Sequence, residues 1–143
     1  MVTIATPAVT AHAGILGLGT YRPARVVPNS ELVDRIDSSD EWIRERSGII
    51  ERRYAAADET VASMASTAAS RALQDAAVAA TDIDLVIVAT FTHRYATPSA
   101  AAEVSALIGA TNAAAVDVGA ACAGFAYAVA LADGAVRAGT AKK

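Results

Sequence analysis

At 143 residues the chain has the size of one globular domain, able to bury roughly 70% of the surface its unfolded form exposes. Hydrophobic residues make up 54% of it and aromatics 5%, so the expected core is built mainly from alanine-sized side chains. A formal charge of −3 excludes general attraction to nucleic acid or an anionic membrane, and a single cysteine excludes an internal disulfide and a multi-cysteine metal site, in keeping with a reducing cytosol.

Met1–Ala13 has neither a basic leading region nor a long apolar run, so it does not read as a signal peptide. It is expected to be a mobile N-terminal extension (1–13) ahead of a domain over 14–143. Gly14-Ile-Leu-Gly-Leu-Gly-Thr20 is expected to be a strand in which backbones approach closely. Its glycines do not make a dinucleotide loop, because the third phosphate-binding glycine is replaced by Arg22 and Pro23 follows at once. Pro28 and Asn29 are expected to open a short helix through Ile36. A second helix is expected from Ser38, with Ser38 and Glu41 at capping-box spacing, carrying Trp42 and ending near Gly48. Ile49–Tyr54 follows as a strand whose three charges keep it from full burial.

Residues 60–77 carry the clearest helical pattern, with Val61, Met64, Ala65, Ala68, Ala69, Ala72, Leu73 and Ala76 on one face. Asp58 and Glu59 stand just before it, where the helix dipole favours negative charge. Leu85–Thr90 is short, continuous and β-branched, as a buried parallel strand requires. The next helix is expected to start with Pro98 at its first position and to stop at Gly109. Ala115–Val118 reads as a further buried strand. Ala123–Ala138 is apolar nearly all round and is expected to be a helix buried on most sides, ending at Gly139. No run of 18 residues is free of charge and polarity, so no membrane span is expected. The order of elements predicts an α/β layered domain with right-handed crossovers.

Cys122 lies where a strand gives way to this apolar helix. A thiol there feels the positive end of the helix dipole and unpaired N–H groups, both of which favour thiolate. Small neighbours, Ala120, Ala121, Ala123 and Gly124, leave room for a substrate at the sulfur. A buried, inert cysteine in an alanine-rich core fits the same residues, and the sulfur alone leaves the choice open. Trp42 and Arg46 share a helix face, where an indole can stack on adenine and a guanidinium can pair with phosphate. A core-packing tryptophan with a surface Arg46–Glu45 cluster is the alternative. Arg44, Arg46, Arg52 and Arg53 form a local basic cluster interleaved with Glu41, Glu45 and Glu51.

The segment Asp117-Val-Gly-Ala-Ala-Cys-Ala-Gly-Phe125 resembles the nucleophile motif of the β-ketoacyl-acyl-carrier-protein synthase III family of thiolase-fold condensing enzymes. Gly17-Leu-Gly-Thr-Tyr-Arg-Pro23, Asp37-Ser-Ser-Asp-Glu-Trp-Ile43, Arg46-Ser-Gly-Ile49, Glu59-Thr-Val61, Val88-Ala-Thr90 and Pro98-Ser-Ala100 agree with the family in order and spacing. The resemblance runs from about Gly14 to Lys143.

The resemblance implies an α/β, thiolase-like layered fold, of which 14–143 would be the N-terminal half, with a mixed sheet and a buried central helix; the half-domain reads as truncated at its C-terminus. It implies an acyltransferase that initiates fatty-acid synthesis: an acyl-CoA primer acylates Cys122, and malonyl acyl carrier protein then condenses with the thioester after decarboxylation. It further implies that Trp42, Arg46 and Ser38 hold coenzyme A. The expected partners are acyl-CoA, acyl carrier protein and a second subunit in a homodimer, with no nucleic acid, membrane, metal or cofactor, in the cytoplasm. The family's decarboxylation histidine and asparagine belong to a C-terminal half; His12, His93, Asn29 and Asn112 match neither position. Thr97 stands where members restricted to short primers carry a phenylalanine, so a wider acyl pocket is implied; a helix-capping role for Thr97 is the alternative. Two rival readings are a polyketide starter synthase and a non-catalytic remnant or interaction module. For the chain taken alone, the helix over 122–138 is expected to expose a large hydrophobic patch.

Overall fold

The computed structural model describes residues 12–33 and 35–143, so most of the expected N-terminal extension lies outside the described residues. The chain forms two compact units, Tyr21–Thr60 and the remainder.

In the Tyr21–Thr60 unit, strand β1 (Arg25–Pro28) pairs antiparallel with β2 (Glu51–Tyr54), in the register Val27 opposite Arg52. Between them lie the short helix α1 (Ser30–Val33) and α2 (Asp40–Ser47). The capping residue of α2 is Ser39 and not Ser38: its side chain accepts from Trp42 N at 3.1 Å. Asn29 explains the later start, since its Nδ2 donates to Asp40 Oδ1 at 2.7 Å and holds Asp40 at the first helical position. The same Asn29, 1% exposed, donates to the Ile49 carbonyl at 2.8 Å and accepts from Arg52 Nη2 at 2.7 Å. One buried amide thus ties β1, α2 and β2 together. Gly48 ends α2 in the left-handed conformation at φ 71°, where a side chain would be strained.

The hydrogen bond from Asn29, followed by the Arg44 contact, holds the Asp40 carboxyl below its ordinary range. A carboxylate depressed in the folded state contributes stability above its unfolded pKa, about 3.9, and that contribution is lost as pH falls through the folded value. Asp40→Asn is therefore expected to flatten the acid limb of a melting-temperature profile below about pH 4 and to leave its slope near neutrality unchanged. A profile in which variant and wild type stay parallel down to acid pH would overturn this assignment.

The second unit starts with an extended segment up to Thr20 and contains α3 (Val61–Ala76), β3 (Leu85–Ala89), α4 (Ala100–Ile108), β4 (Ala114–Val118) and α5 (Gly124–Ala138). The segment over 14–20 is no strand, contrary to expectation: it meets no ladder partner among the described residues and lies along α3 instead. Its glycines are nonetheless there for close approach. A Cβ on Gly17 would come within 2.7 Å of the Ala72 carbonyl oxygen and the Ala76 nitrogen, and one on Gly19 would overlap the Ala68 oxygen. Leu18 N donates to Asp75 of the same helix at 2.9 Å, tying the segment to α3.

Strands β3 and β4 pair in parallel, with Ala89 opposite Val118. The expected mixed sheet is thus resolved into two separate pairs, one antiparallel and one parallel. Alternation along β3 and β4 assigns the layers. Asp117 faces α4, which is backed by α3, whereas Ala89 faces α5 at Gly124. Both strands are only partly buried, because a two-stranded sheet leaves an open edge on each.

Helix α4 begins after Ser99, not at Pro98. Ser99 is extended and its Oγ accepts from Ala102 N at 3.1 Å, so neither Pro98 nor Thr97 occupies the expected helix-start position. The Thr97–Pro98 peptide is cis.

Helix α5 departs from the expected burial. Only Gly124 is buried, while Phe125 is 75% and Tyr127 58% exposed. The parallel pair covers one side of α5 and residues 13–15 lie along another, with the Ala13 backbone bonding Asp133, while Phe125, Tyr127 and Leu131 stay exposed as the hydrophobic patch expected of the chain alone. Ala121–Ala138 also meets the length and composition of a membrane span, with mean hydropathy 1.2 over 18 residues, where the sequence reading excluded one. A core helix has the same composition, and Arg137 bonded to Asp133 at 2.6 Å closes its last turn with an ion pair.

Candidate functional site

Cys122 sits in a tight 3-10 turn, Ala121–Ala123, between the end of β4 and the first turn of α5. The thiol-bearing residue is exposed, which removes the reading of a cysteine sealed inside an alanine core. The turn is sharp: Ala121 has φ 43°, in the left-handed region that residues with a Cβ rarely adopt. Gly124 makes the turn possible from below, since a Cβ there would already press on Ala89 at 3.3 Å. No side chain caps α5, so the positive end of a 15-residue helix faces the cysteine turn without a carboxylate or hydroxyl to satisfy it.

The parallel register brings a second feature to the same end of the sheet. Thr90 N, just past β3, donates to the Val118 oxygen at 3.1 Å, so the loop after β3 and the turn after β4 leave together from the carboxyl ends of adjacent strands. In α/β sheets that end is where ligands bind. The loop over 90–99 carries Thr97, which is exposed.

In the other unit, Trp42 and Arg46 lie on the outer face of α2. Trp42 is 56% exposed and Arg46 stands over its ring at 6.0 Å, so the indole is no core residue. The basic cluster is largely spoken for. Arg44 bonds Asp40 at 2.7 Å, Arg52 bonds Asn29 and Val27, and Arg53 bonds the Ala24 carbonyl at 3.0 Å. Arg46 makes no ion pair among the described residues, with Glu45 or otherwise, and keeps a guanidinium available beside the indole. Ser38 is partly buried and its Oγ is sealed without a hydrogen-bond partner. The described residues hold no group of histidine, cysteine and carboxylate side chains that could bind a metal.

The structure gives three residues roles that no local pattern specifies. Asn29, expected only to open a short helix, ties three elements together. Asp117 accepts from Ala100 N and Ala101 N at 2.8 and 2.7 Å. The available signal was a charge inside an apolar strand, which must find partners wherever it is buried. His93, with its side chain 11% exposed, lies 3.2 Å from the Pro98 oxygen and 3.8 Å from Glu103.

No family model matches the chain. It is 50% identical over 143 residues to a mycobacterial β-ketoacyl-[acyl-carrier-protein] synthase III of Mycolicibacterium paratuberculosis, covering all of this chain and 43% of that protein. Among solved structures, the priming β-ketosynthase of the R1128 polyketide pathway superposes with a TM-score of 0.84 at 45% identity, over 89% of this chain and 38% of that one. The 3-oxoacyl-[acyl-carrier-protein] synthase III of Aquifex aeolicus superposes with a TM-score of 0.83 at 43% identity, over 89% of this chain and 41% of that one. The fold thus groups the chain with the thiolase-like condensing enzymes. Within that class it matches β-ketoacyl-[acyl-carrier-protein] synthase III proteins along its whole length, and it spans about two fifths of the length of the relatives it matches.

Proposed function

We propose that the chain supplies the acyl-accepting part of a β-ketoacyl-acyl-carrier-protein synthase III, with Cys122 as the nucleophile that takes the primer from acyl-CoA. The single observation that carries this is the exposed Cys122 in a strained turn at the uncapped head of α5. The thiolate attacks the acyl carbonyl, coenzyme A leaves as its thiol, and the primer remains as a thioester. Malonyl acyl carrier protein then loses carbon dioxide, and its carbanion displaces the sulfur to give the β-ketoacyl product. The enzyme works without a cofactor as a soluble, cytoplasmic homodimer. In a protein of the relatives' full length, incubation with a short acyl-CoA is expected to add one acyl mass to the peptide containing Cys122. A protein that stays unmodified while iodoacetamide labels the same thiol would overturn the reading.

Trp42 and Arg46 are the proposed coenzyme A clamp, the indole stacking on adenine and the guanidinium meeting phosphate. Stacking of a base on an aromatic ring contributes roughly 1–3 kcal/mol, so Trp42→Ala is expected to raise the KM for acyl-CoA about fivefold to a hundredfold with kcat nearly unchanged. Because Trp is present once, its fluorescence reports the same event directly: coenzyme A should quench it. Ser38 is the proposed third contact, although its hydroxyl is sealed and would have to turn outward.

Thr97 is the proposed wall of the acyl pocket. A threonine leaves space that phenylalanine would fill, and each further buried methylene contributes about 0.8 kcal/mol. In a protein of the relatives' full length, primers longer or more branched than acetyl are expected to acylate Cys122 at least as well as acetyl-CoA. Thr97→Phe is expected to shift kcat/KM towards acetyl by about tenfold per methylene without abolishing acylation. Rejection of every primer beyond acetyl by the unmodified protein would assign the wall to another side chain. The solved priming ketosynthase of a polyketide pathway keeps a starter-synthase role as the second reading, which gives the same acyl adduct and differs in the carrier protein served.

A further inference from the structure

Helix α2 carries both members of the proposed coenzyme A clamp and has little packing of its own. It is eight residues long, with Ile43 as its buried residue. A helix of that length is marginal in water, so its own backbone bonds do not suffice to hold it. Within the Tyr21–Thr60 unit the hold comes from Asn29, the residue that follows β1, which is 1% exposed. Arg52 Nη2 lies 2.7 Å from Asn29 Oδ1. A guanidinium only donates, so this contact fixes which end of the amide is oxygen and turns its NH₂ the other way. That NH₂ donates to Asp40 Oδ1 at 2.7 Å and to the Ile49 carbonyl at 2.8 Å. Asp40 is the first residue of α2, and Ile49 follows the Gly48 that ends it. One amide therefore grips the helix at both ends, and Trp42 and Arg46 stand between the two grips, the guanidinium 6.0 Å over the exposed indole.

We infer that Asn29 is a positioning residue for coenzyme A: sealed from solvent, it touches no ligand and sets where α2 presents the indole and the guanidinium. The inference rests on the reading of Trp42 and Arg46 as the coenzyme A clamp. Stacking on adenine and pairing with phosphate both depend on placement, and a misplacement of about 1 Å costs up to about a hundredfold. Asn29→Asp is nearly isosteric. Its carboxylate keeps Arg52, now as an ion pair, and with it the side-chain link from β1 to β2. Both donors are lost, and a carboxylate faces Asp40 and the Ile49 carbonyl instead. Adding Asp40→Asn restores one grip, since the amide at position 40 can donate to the carboxylate at position 29, while the Ile49 carbonyl stays unmatched.

Amide hydrogen exchange at Ile43 and Gly48, whose N–H groups bond the Ser39 and Arg44 carbonyls, reads the two grips without any ligand. In Asn29→Asp both amides are expected to exchange at least about tenfold faster; with Asp40→Asn added, Ile43 is expected to recover while Gly48 stays fast. In a protein of the relatives' full length, Asn29→Asp is expected to raise the KM for acyl-CoA and the Kd for free coenzyme A about tenfold. There kcat, the KM for malonyl carrier protein and the alkylation rate of Cys122 should stay within about twofold. On a Trp42→Ala background the same substitution is expected to add less than about threefold, because only Arg46 is left to misplace. Faster exchange with an unchanged KM for acyl-CoA, a fall in kcat as large as the rise in KM, or full additivity with Trp42→Ala would overturn the positioning role. Unchanged exchange would overturn the grip itself. The paired variant keeps the test decisive if Asn29→Asp alone does not fold: a Gly48 exchange rate and a KM for acyl-CoA both equal to those of the unmodified protein would overturn the inference. A Trp42→Ala protein whose KM for acyl-CoA is unchanged would fell the coenzyme A reading and the inference with it, and the exchange rates would still report whether α2 is gripped.

Discussion

In a protein spanning the full length of the relatives, Cys122→Ser is expected to abolish the acyl adduct and to lower condensation by about 10⁴-fold or more, the scale seen when a covalent nucleophile is lost. A free thiol is a few per cent thiolate near neutral pH and intrinsically nucleophilic, whereas a serine hydroxyl needs a general base to act at all. Of the two histidines the nearer in sequence is His93, and its Nε2 is committed to the Pro98 carbonyl. Because serine differs from cysteine by a single atom, any quenching of Trp42 fluorescence by coenzyme A should persist in the serine variant. Intact mass after incubation with acetyl-CoA, together with steady-state turnover of malonyl carrier protein, decides the matter. An adduct that survives in the variant, or turnover within about tenfold, would place the nucleophile elsewhere.

Gly19→Ala is expected to be the most damaging change far from the cysteine. The added methyl would overlap the Ala68 carbonyl oxygen and the Ala72 nitrogen, both backbone atoms of α3 that no side-chain rotation can move away. The extended segment must lift off the helix or α3 must bend, and overpacking of this kind costs about 3 kcal/mol or more. In a chain of this size the melting temperature should fall by roughly 10 °C. Gly14→Ala is the matched control, because a Cβ there meets nothing within 4 Å. Equal melting temperatures for the two variants would show that the segment does not pack on α3 as described.

What was legible in the sequence was whatever a local pattern or an ordered set of motifs could carry. The 3.6-residue periodicity drew α3 almost to the residue, the β-branched run drew β3, and the glycines at 48, 109 and 139 marked three helix ends. The ordered motifs from Gly17 to Phe125 reached the condensing-enzyme family, and with it the candidate role of Cys122, which its neighbours alone left open. Local patterning failed where a residue's role depends on a distant partner. Helix α2 starts at Asp40 because Asn29 reaches across to hold it, and a capping box read from Ser38 and Glu41 cannot contain that information. Helix α4 starts after Ser99 because Asp117, far along the chain, takes its first N–H groups. The run over 14–20 has the composition of a strand, but a strand exists only where a second backbone offers a ladder; among the described residues α3 offers helix surface instead. Composition likewise predicts an apolar helix at 124–138 without saying how much of it is covered, and the parallel pair covers one side. The sequence by itself determined the nucleophile candidate, the indole–guanidinium pair and the family. Only the tertiary structure decided that the cysteine is exposed, that Arg46 alone in its cluster makes no ion pair or hydrogen bond among the described residues, and that the loop of Thr97 shares an end of the sheet with Cys122. Exposure, pairing and juxtaposition are properties of atoms brought together from remote positions, and no window along the chain holds both members.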